Sequence, residues 1–74
     1  MAVVKRFGEK LKFLRKQRGL TAQQLATELG FKSHSQISRY ESGKRKPSVE
    51  LVIKLADLFG VTTDQLLRDE LEVS

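Results

Sequence analysis

The sequence contains no cysteine among its 74 residues. This absence excludes a disulfide framework, a thiol nucleophile and a cysteine metal site, and it favours an intracellular location. No apolar run approaches the roughly 20 residues that are needed to cross a bilayer. The N-terminus also lacks the apolar segment of a secretory signal. We therefore expect a cytoplasmic protein with no membrane association.

The residue types that enzymes use are also scarce. His34 is the single histidine, and no acidic residue lies close to it in the sequence. No glycine-rich phosphate loop and no paired metal-ligand spacing occurs. We expect no catalytic residue, no metal site and no cofactor, and nothing in the sequence implies a small-molecule ligand.

Charge is distributed unevenly along the chain. The formal net charge is +5, but residues 1–46 carry twelve basic and three acidic side chains, whereas residues 47–74 carry two and six. A positive surface on one part of a protein suits contact with a polyanion such as nucleic acid. Ordinary solvated lysines are the alternative explanation.

A short helix is predicted in the middle of the basic part. Thr21 and Gln24 have the spacing of a capping box, in which each side chain bonds the backbone amide of the other residue, so a helix should begin near Ala22. Gly30 can adopt a left-handed conformation just past a helix end. We expect the helix to end at Leu29.

A second short helix follows after a tight turn. Ser33 and Gln36 repeat the capping-box spacing, which predicts a helix beginning at His34 with Ile37 and Tyr40 facing inward. Two such helices in succession are the signature of a helix-turn-helix. No acidic residue lies between positions 31 and 40, so the outward side of the second helix suits a DNA groove. Its outward residues are His34, Ser35, Ser38 and Arg39.

The rest of the sequence predicts three more helices. The first runs from near Val4 to Arg18, and Gly8 within it indicates close packing against a neighbour. Ser48 caps the fourth helix, and a capping box at residues 62–65 opens a short fifth helix. The apolar stripes are Val4, Phe7, Leu11 and Leu14 in the first helix and Leu51, Val52, Leu55, Ala56 and Phe59 in the fourth.

No segment shows the alternation of a β-strand, so the expected fold class is all-α with five helices. The length is that of one domain, 1–74. We expect its core to span about residues 5–68 and the acidic tail, residues 69–74, to be frayed. Between the third and fourth helices, Gly43 permits a turn and Pro47 prevents helix continuation, which leaves a basic loop.

Three blocks in this order resemble a known family. LRKQRGLTAQQLATELG, ISRYESGKRKPS and LVIKLADLFGVTTDQLL together resemble the DNA-binding domain of the phage lambda repressor and Cro family, also called the xenobiotic-response-element family of bacterial regulators. The resemblance implies a compact five-helix domain whose third helix enters the major groove of double-stranded DNA. It also implies a homodimer on a near-palindromic operator.

The same resemblance assigns candidate contacts to residues of this chain. The base contacts that it implies are His34, Ser35 and Arg39, and the outward residues Gln36 and Ser38 are further candidates, with close approach to the DNA as the alternative role of Ser38. The phosphate contacts that it implies are Thr21, Gln23, Lys32, Ser42, Lys44, Arg45 and Lys46. For Gln36 the alternative role is the capping box. The resemblance further implies a structural pair between Arg15 and Glu41, with a phosphate contact as the alternative role of Arg15.

Two positions depart from the family pattern. Many relatives have a phosphate-gripping glutamine where this chain has Ala22, so that anchor is absent or has moved to Gln23. The turn is one residue longer, through Phe31 and Lys32. The groove-facing set above is aligned on Ile37, whereas alignment on the turn glycine would shift it by one residue.

We expect a DNA-binding transcriptional regulator, and most plainly a repressor. An activator, a restriction-modification controller, an antitoxin and an adaptor that binds proteins through the same fold are the alternatives. Leu67, Leu71 and Val73 are candidates for the dimer interface, and packing within the chain is their alternative role.

Overall fold

The computed structural model describes residues 6–73, and this part of the chain forms five helices and no strand. In chain order they are α1 (Phe7–Gln17), α2 (Ala22–Glu28), α3 (Ser35–Glu41), α4 (Val49–Phe59) and α5 (Thr63–Leu67). The predicted all-α architecture of five helices is therefore confirmed. Val4, the predicted start of the first helix, lies outside the described residues.

All five helices contribute to one hydrophobic core. Each supplies one large side chain with no solvent exposure, namely Leu11, Leu25, Ile37, Leu55 and Leu66 in chain order. Burying a side chain of this size stabilises a fold by roughly 1.5–3 kcal/mol. Because the domain is small, no helix can be removed without opening this core.

The caps predicted for α2, α4 and α5 are present. The Thr21 hydroxyl accepts the Gln24 amide at 3.1 Å, and the Gln24 side chain accepts the Thr21 amide at 2.8 Å. Thr62 and Gln65 repeat this arrangement at the start of α5. Ser48 accepts an amide of the first turn of α4. These helices therefore begin where their local sequences place them.

The predicted capping box at the start of α3 is wrong. The Ser33 hydroxyl accepts the amide of Ser35, two residues on, at 3.1 Å, and also bonds the Ser35 hydroxyl. It does not reach the amide of Gln36, which instead donates to the Ser33 carbonyl at 3.4 Å. The helix begins one residue later than predicted, with His34 at the N-cap position.

The tail was expected to fray, but residues 69–73 lie against the start of α1. The Arg6 amide donates to a carboxylate oxygen of Asp69 at 2.9 Å, and its guanidinium forms two hydrogen bonds with Glu72. Lys10, which is 2% exposed, donates to the carbonyls of Gln65 and Arg68. Burial lowers the pKa of Lys10. The charged end of α1 therefore holds the chain that leaves α5.

Candidate nucleic-acid interface

The outer surface of α3 is fixed by what its inner surface contacts. Ile37 and Tyr40 are buried, as predicted. The Tyr40 ring meets the Phe7 ring edge-on, with centroids 6.5 Å apart. Gly8 lies directly under the end of α3, where an added Cβ would be 2.7 Å from the Tyr40 carbonyl oxygen. The close approach predicted for Gly8 is thus a contact of α1 with the backbone of α3.

Arg15 and Glu41 join the same two helices. The Arg15 guanidinium donates to both carboxylate oxygens of Glu41, at 2.6 and 3.2 Å, and to the Leu20 carbonyl at 2.9 Å. The two side chains are only 13% and 10% exposed. A pair this well enclosed holds the C-terminal end of α3 on α1. The short distances show that the Arg15 guanidinium is bound to Glu41.

The outward residues of α3 form a polar surface that carries positive charge. His34, Ser35, Ser38 and Arg39 are exposed, and Gln36 is half-buried. The set of outward residues that was aligned on the buried Ile37 is therefore the set that faces solvent. The Ser35 hydroxyl already has a partner in Ser33, at 3.0 Å. Gln36 is not engaged in the capping box that was its alternative role.

In the turn between α2 and α3, which is one residue longer than in the family pattern, an aromatic ring packs against α3. Gly30 has φ +79°, and the Phe31 amide then returns to the Ala26 carbonyl at 2.8 Å. The Phe31 ring stacks on Tyr40, with centroids 6.3 Å apart and planes inclined by 21°. Lys32 is left exposed at the tip. The longer turn is consequently packed onto α3.

The basic loop, residues 42–46, is tied to α3 through one carbonyl. The carbonyl oxygen of Arg39 accepts the Lys44 amide at 3.0 Å, the Arg45 amide at 3.3 Å and the Ser42 hydroxyl at 3.2 Å. The Arg45 guanidinium also lies 5.8 Å from the centre of the Tyr40 ring. The three cationic side chains of the loop, Lys44, Arg45 and Lys46, are exposed. The bonds to the Arg39 carbonyl thus fix the position of the loop backbone relative to Arg39.

The remaining candidate phosphate contacts lie at the start of α2. Thr21 and Gln23 are exposed, whereas Ala22 is half-buried. The Thr21 hydroxyl accepts the capping bond, which leaves its own proton available to a phosphate oxygen. Gln23 is the longer of the two exposed side chains.

Two features of the structure were not predicted from the sequence. The first is the set of ring contacts that joins Phe31, Tyr40 and Arg45, which no local spacing indicates. The second is an exposed apolar pair on α4, Val49 and Ile53, which are 76% and 48% exposed. Their spacing of four residues, beside the main stripe of α4, was the available signal. Of the candidate dimer residues, Leu71 is 37% exposed, whereas Leu67 and Val73 pack partly against the core.

A model of the helix-turn-helix family matches residues 11–66, more than half of the chain. The chain belongs to this helix-turn-helix family. The resemblance to the lambda repressor and Cro type is thereby confirmed, and this family consists of DNA-binding transcriptional regulators rather than enzymes. Within residues 6–73 no helix is long and apolar enough to span a membrane.

Individual relatives of this helix-turn-helix chain include both activators and repressors. The HTH-type transcriptional activator BcrR of Enterococcus faecalis is 44% identical over 64 residues, which cover 86% of this chain and 31% of BcrR. The cryptic phage CTXphi transcriptional repressor RstR of Vibrio cholerae is 33% identical over 63 residues, covering 85% and 56%. The chain thus spans a third to about half of these relatives' length.

A solved structure agrees with the fold. The DNA-binding domain of BldD from S. venezulae superposes with a TM-score of 0.71 at 29% identity, covering 90% of this chain and 99% of that domain. This helix-turn-helix chain therefore shares the fold of that DNA-binding domain.

Proposed function

We propose that this helix-turn-helix domain is the DNA-binding part of a repressor, which inserts α3 into the major groove and acts as a homodimer on a near-palindromic operator. The observation that carries the proposal is the exposed, acid-free outer surface of α3, held rigidly by α1 and continued by the basic loop. An exposed α-helix of this kind fits the width of the major groove. We place the protein in the cytoplasm with its DNA.

Base recognition is assigned to the outward residues of α3. The Arg39 guanidinium can donate two hydrogen bonds to a guanine, and this is the commonest specific contact in the major groove. The Gln36 amide, free of a capping role, can bond the N6 and N7 positions of an adenine. His34, Ser35 and Ser38 complete the set at the N-terminal end and the middle of the helix, where an imidazole or hydroxyl can meet a base edge or a phosphate.

Phosphate contacts are assigned to the residues that flank α3. On one side are Thr21, Gln23 and the turn residue Lys32, and on the other are Ser42, Lys44, Arg45 and Lys46. These contacts carry no sequence information directly, but they fix the orientation of α3 on the duplex. Because four of these side chains are cationic, binding should depend steeply on salt, with a log–log slope of about −0.9 for each neutralised phosphate.

Repression is the simplest outcome of such binding, because a protein on an operator blocks the polymerase without any further contact. RstR, by its name, is a repressor, whereas BcrR is an activator. The sign of regulation depends on where the operator lies relative to the promoter. A reporter gene placed behind the selected operator would measure it directly, and increased expression in the presence of the protein would refute repression.

The decisive experiment is selection of bound sequences from a random duplex pool. We expect a palindromic consensus with half-sites about one helical turn, or roughly 34 Å, apart. Arg39→Ala should relax the preference at one position of each half-site, with a loss of about 1–3 kcal/mol of discrimination. The matched control is Lys44→Ala in the basic loop, which should weaken all sequences equally and make the salt slope shallower by about 0.9. Absence of any duplex preference would refute the proposal and favour the adaptor alternative.

A further inference from the structure

The guanidinium of Arg45 is held by an aromatic ring and not by an anion. Its central carbon lies 5.8 Å from the centroid of the Tyr40 ring. In the described part of the chain Arg45 forms no ion pair with a carboxylate, in contrast to Arg6, Arg15 and Arg68. An ion pair would neutralise the charge of the guanidinium, whereas an aromatic face attracts the cation and leaves its charge intact. The positive charge of Arg45 is therefore available to a phosphate.

The Tyr40 ring is itself held in place by other rings. It is 6% exposed. The Phe7 ring of α1 meets it edge-on at 6.5 Å, and the Phe31 ring stacks on it at 6.3 Å. Both arrangements are the favourable ones for aromatic pairs. Because Phe31 belongs to the longer turn between α2 and α3, this turn supplies a second ring to the surface on which Arg45 lies.

The backbone of Arg45 is fixed separately from its side chain. Its amide donates to the Arg39 carbonyl at 3.3 Å. The Lys44 amide does the same at 3.0 Å, but within residues 6–73 no ring contact or ion pair holds the Lys44 ammonium group. A guanidinium on an aromatic face keeps N–H donors at its edge for another partner. Arg45 thus has the geometry of a preorganised phosphate contact.

We propose that Tyr40, supported by the stacked ring of Phe31, is a positioning residue for DNA binding that holds the Arg45 guanidinium ready for a backbone phosphate. This inference rests on the proposed function and deepens it, because it assigns a role to two residues outside the candidate DNA contacts. An arginine that is free in solution loses rotamer freedom when it meets DNA, and the ring removes part of that loss before binding. The gain in affinity should be about three- to tenfold. It should be the same for all sequences, since phosphate contacts carry no sequence information directly.

A double-mutant cycle on the selected operator separates positioning from stability. Tyr40→Leu removes the ring but keeps an apolar side chain, and it should weaken binding about three- to tenfold in the natural chain. In a chain that already carries Arg45→Ala it should weaken binding by less than about twofold, because the effect acts through that guanidinium. Tyr40→Phe retains an aromatic face and should keep the affinity within about twofold of the natural value.

The matched control for the cycle combines Tyr40→Leu with Lys44→Ala. These two losses should be additive, because the Lys44 side chain does not lie on the ring. Equal losses from Tyr40→Leu in the presence and absence of the Arg45 guanidinium would show a purely structural role and overturn the proposal. If the natural chain binds no duplex at all, the proposed function fails together with this inference, whereas additivity in the Arg45 cycle refutes the positioning role alone.

An NMR measurement tests the contact in the free protein without requiring that Tyr40→Leu folds. Tyr40 is the single tyrosine of the chain. Protons held over an aromatic ring are shifted upfield by its ring current, so the side-chain protons of Arg45 should resonate upfield of those of arginine in a disordered peptide. Those of Lys44 should show no such shift. In Phe31→Leu, which removes the stacked neighbour, the upfield shift of Arg45 should decrease. Unshifted Arg45 protons in the natural chain, or an unchanged shift in Phe31→Leu, would contradict the proposal.

Discussion

Replacing Gly8 by alanine distinguishes the effect of helix propensity from that of helix packing. Propensity alone predicts a gain of about 1 kcal/mol, because glycine is a poor residue inside a helix. In the structure the new Cβ would lie 2.7 Å from the Tyr40 carbonyl oxygen and 2.8 Å from the Glu41 carbonyl carbon, with the Glu41 oxygen nearer still. These are backbone atoms of α3, so α1 and α3 must move apart. Overpacking of this kind costs typically 1–3 kcal/mol, and here it strains the Arg15–Glu41 contact as well.

We therefore expect Gly8→Ala to lower the free energy of unfolding by a net amount of up to about 2 kcal/mol, and to lower the melting temperature by up to roughly 15 °C in a domain of this size. Urea denaturation followed by circular dichroism measures the first quantity, and a thermal scan the second. Lys12→Gly, at an exposed site of the same helix, calibrates propensity and should cost up to about 1 kcal/mol. A stability raised by the full 1 kcal/mol or so that propensity alone predicts would refute the inferred close contact between α1 and α3.

Three further predictions follow from individual contacts. Glu41→Gln leaves the enclosed guanidinium of Arg15 without its carboxylate and should lower the free energy of unfolding, measured by urea denaturation, by about 3–5 kcal/mol. Replacing Arg15 by Met and Glu41 by Leu together should recover most of that loss. Hydrogen bonding by Arg6 holds the pKa of Glu72 below its ordinary value of 4.5. The tail contact is therefore present above pH 4.5 and is lost as the pH falls through the lowered pKa of Glu72. An NMR titration should show the Glu72 pKa rising towards 4.5 in Arg6→Gln. Gln36→Ala should change the free energy of unfolding by less than about 0.5 kcal/mol. A larger loss would indicate that Gln36 takes part in a capping box after all.

Most of the helix boundaries could be predicted from the sequence because their signals are local. A threonine and a glutamine three residues apart can satisfy one another's amides without help from the rest of the chain. This holds at the starts of α2 and α5. At α3 the same spacing failed, because the Ser33 hydroxyl had a nearer partner in the amide and hydroxyl of Ser35. A spacing rule does not distinguish between two donors that are both within reach.

The contacts of the tail and the exposure of the apolar pair on α4 were not predicted, for a different reason. The acidic composition of residues 69–74 favours disorder, but Arg6 and Lys10, more than fifty residues away in sequence, supply cationic partners and hydrogen-bond donors to this end of the chain. Val49 and Ile53 lie beside the predicted core stripe of α4, and only the packing shows that no other helix covers them. Both outcomes depend on which elements become neighbours.

The sequence by itself determined the five helices, the helix-turn-helix, the buried residues of α3 and α4 and the sign of charge on each part of the chain, since these follow from periodicity, capping and composition. The tertiary structure alone decided that the neighbour of Gly8 is the backbone at the end of α3, that Phe31 and Arg45 meet on one tyrosine ring, and that one apolar pair of α4 is left uncovered. These are contacts between residues far apart in the chain. Their existence depends on how the helices pack, and no local pattern of residues encodes that.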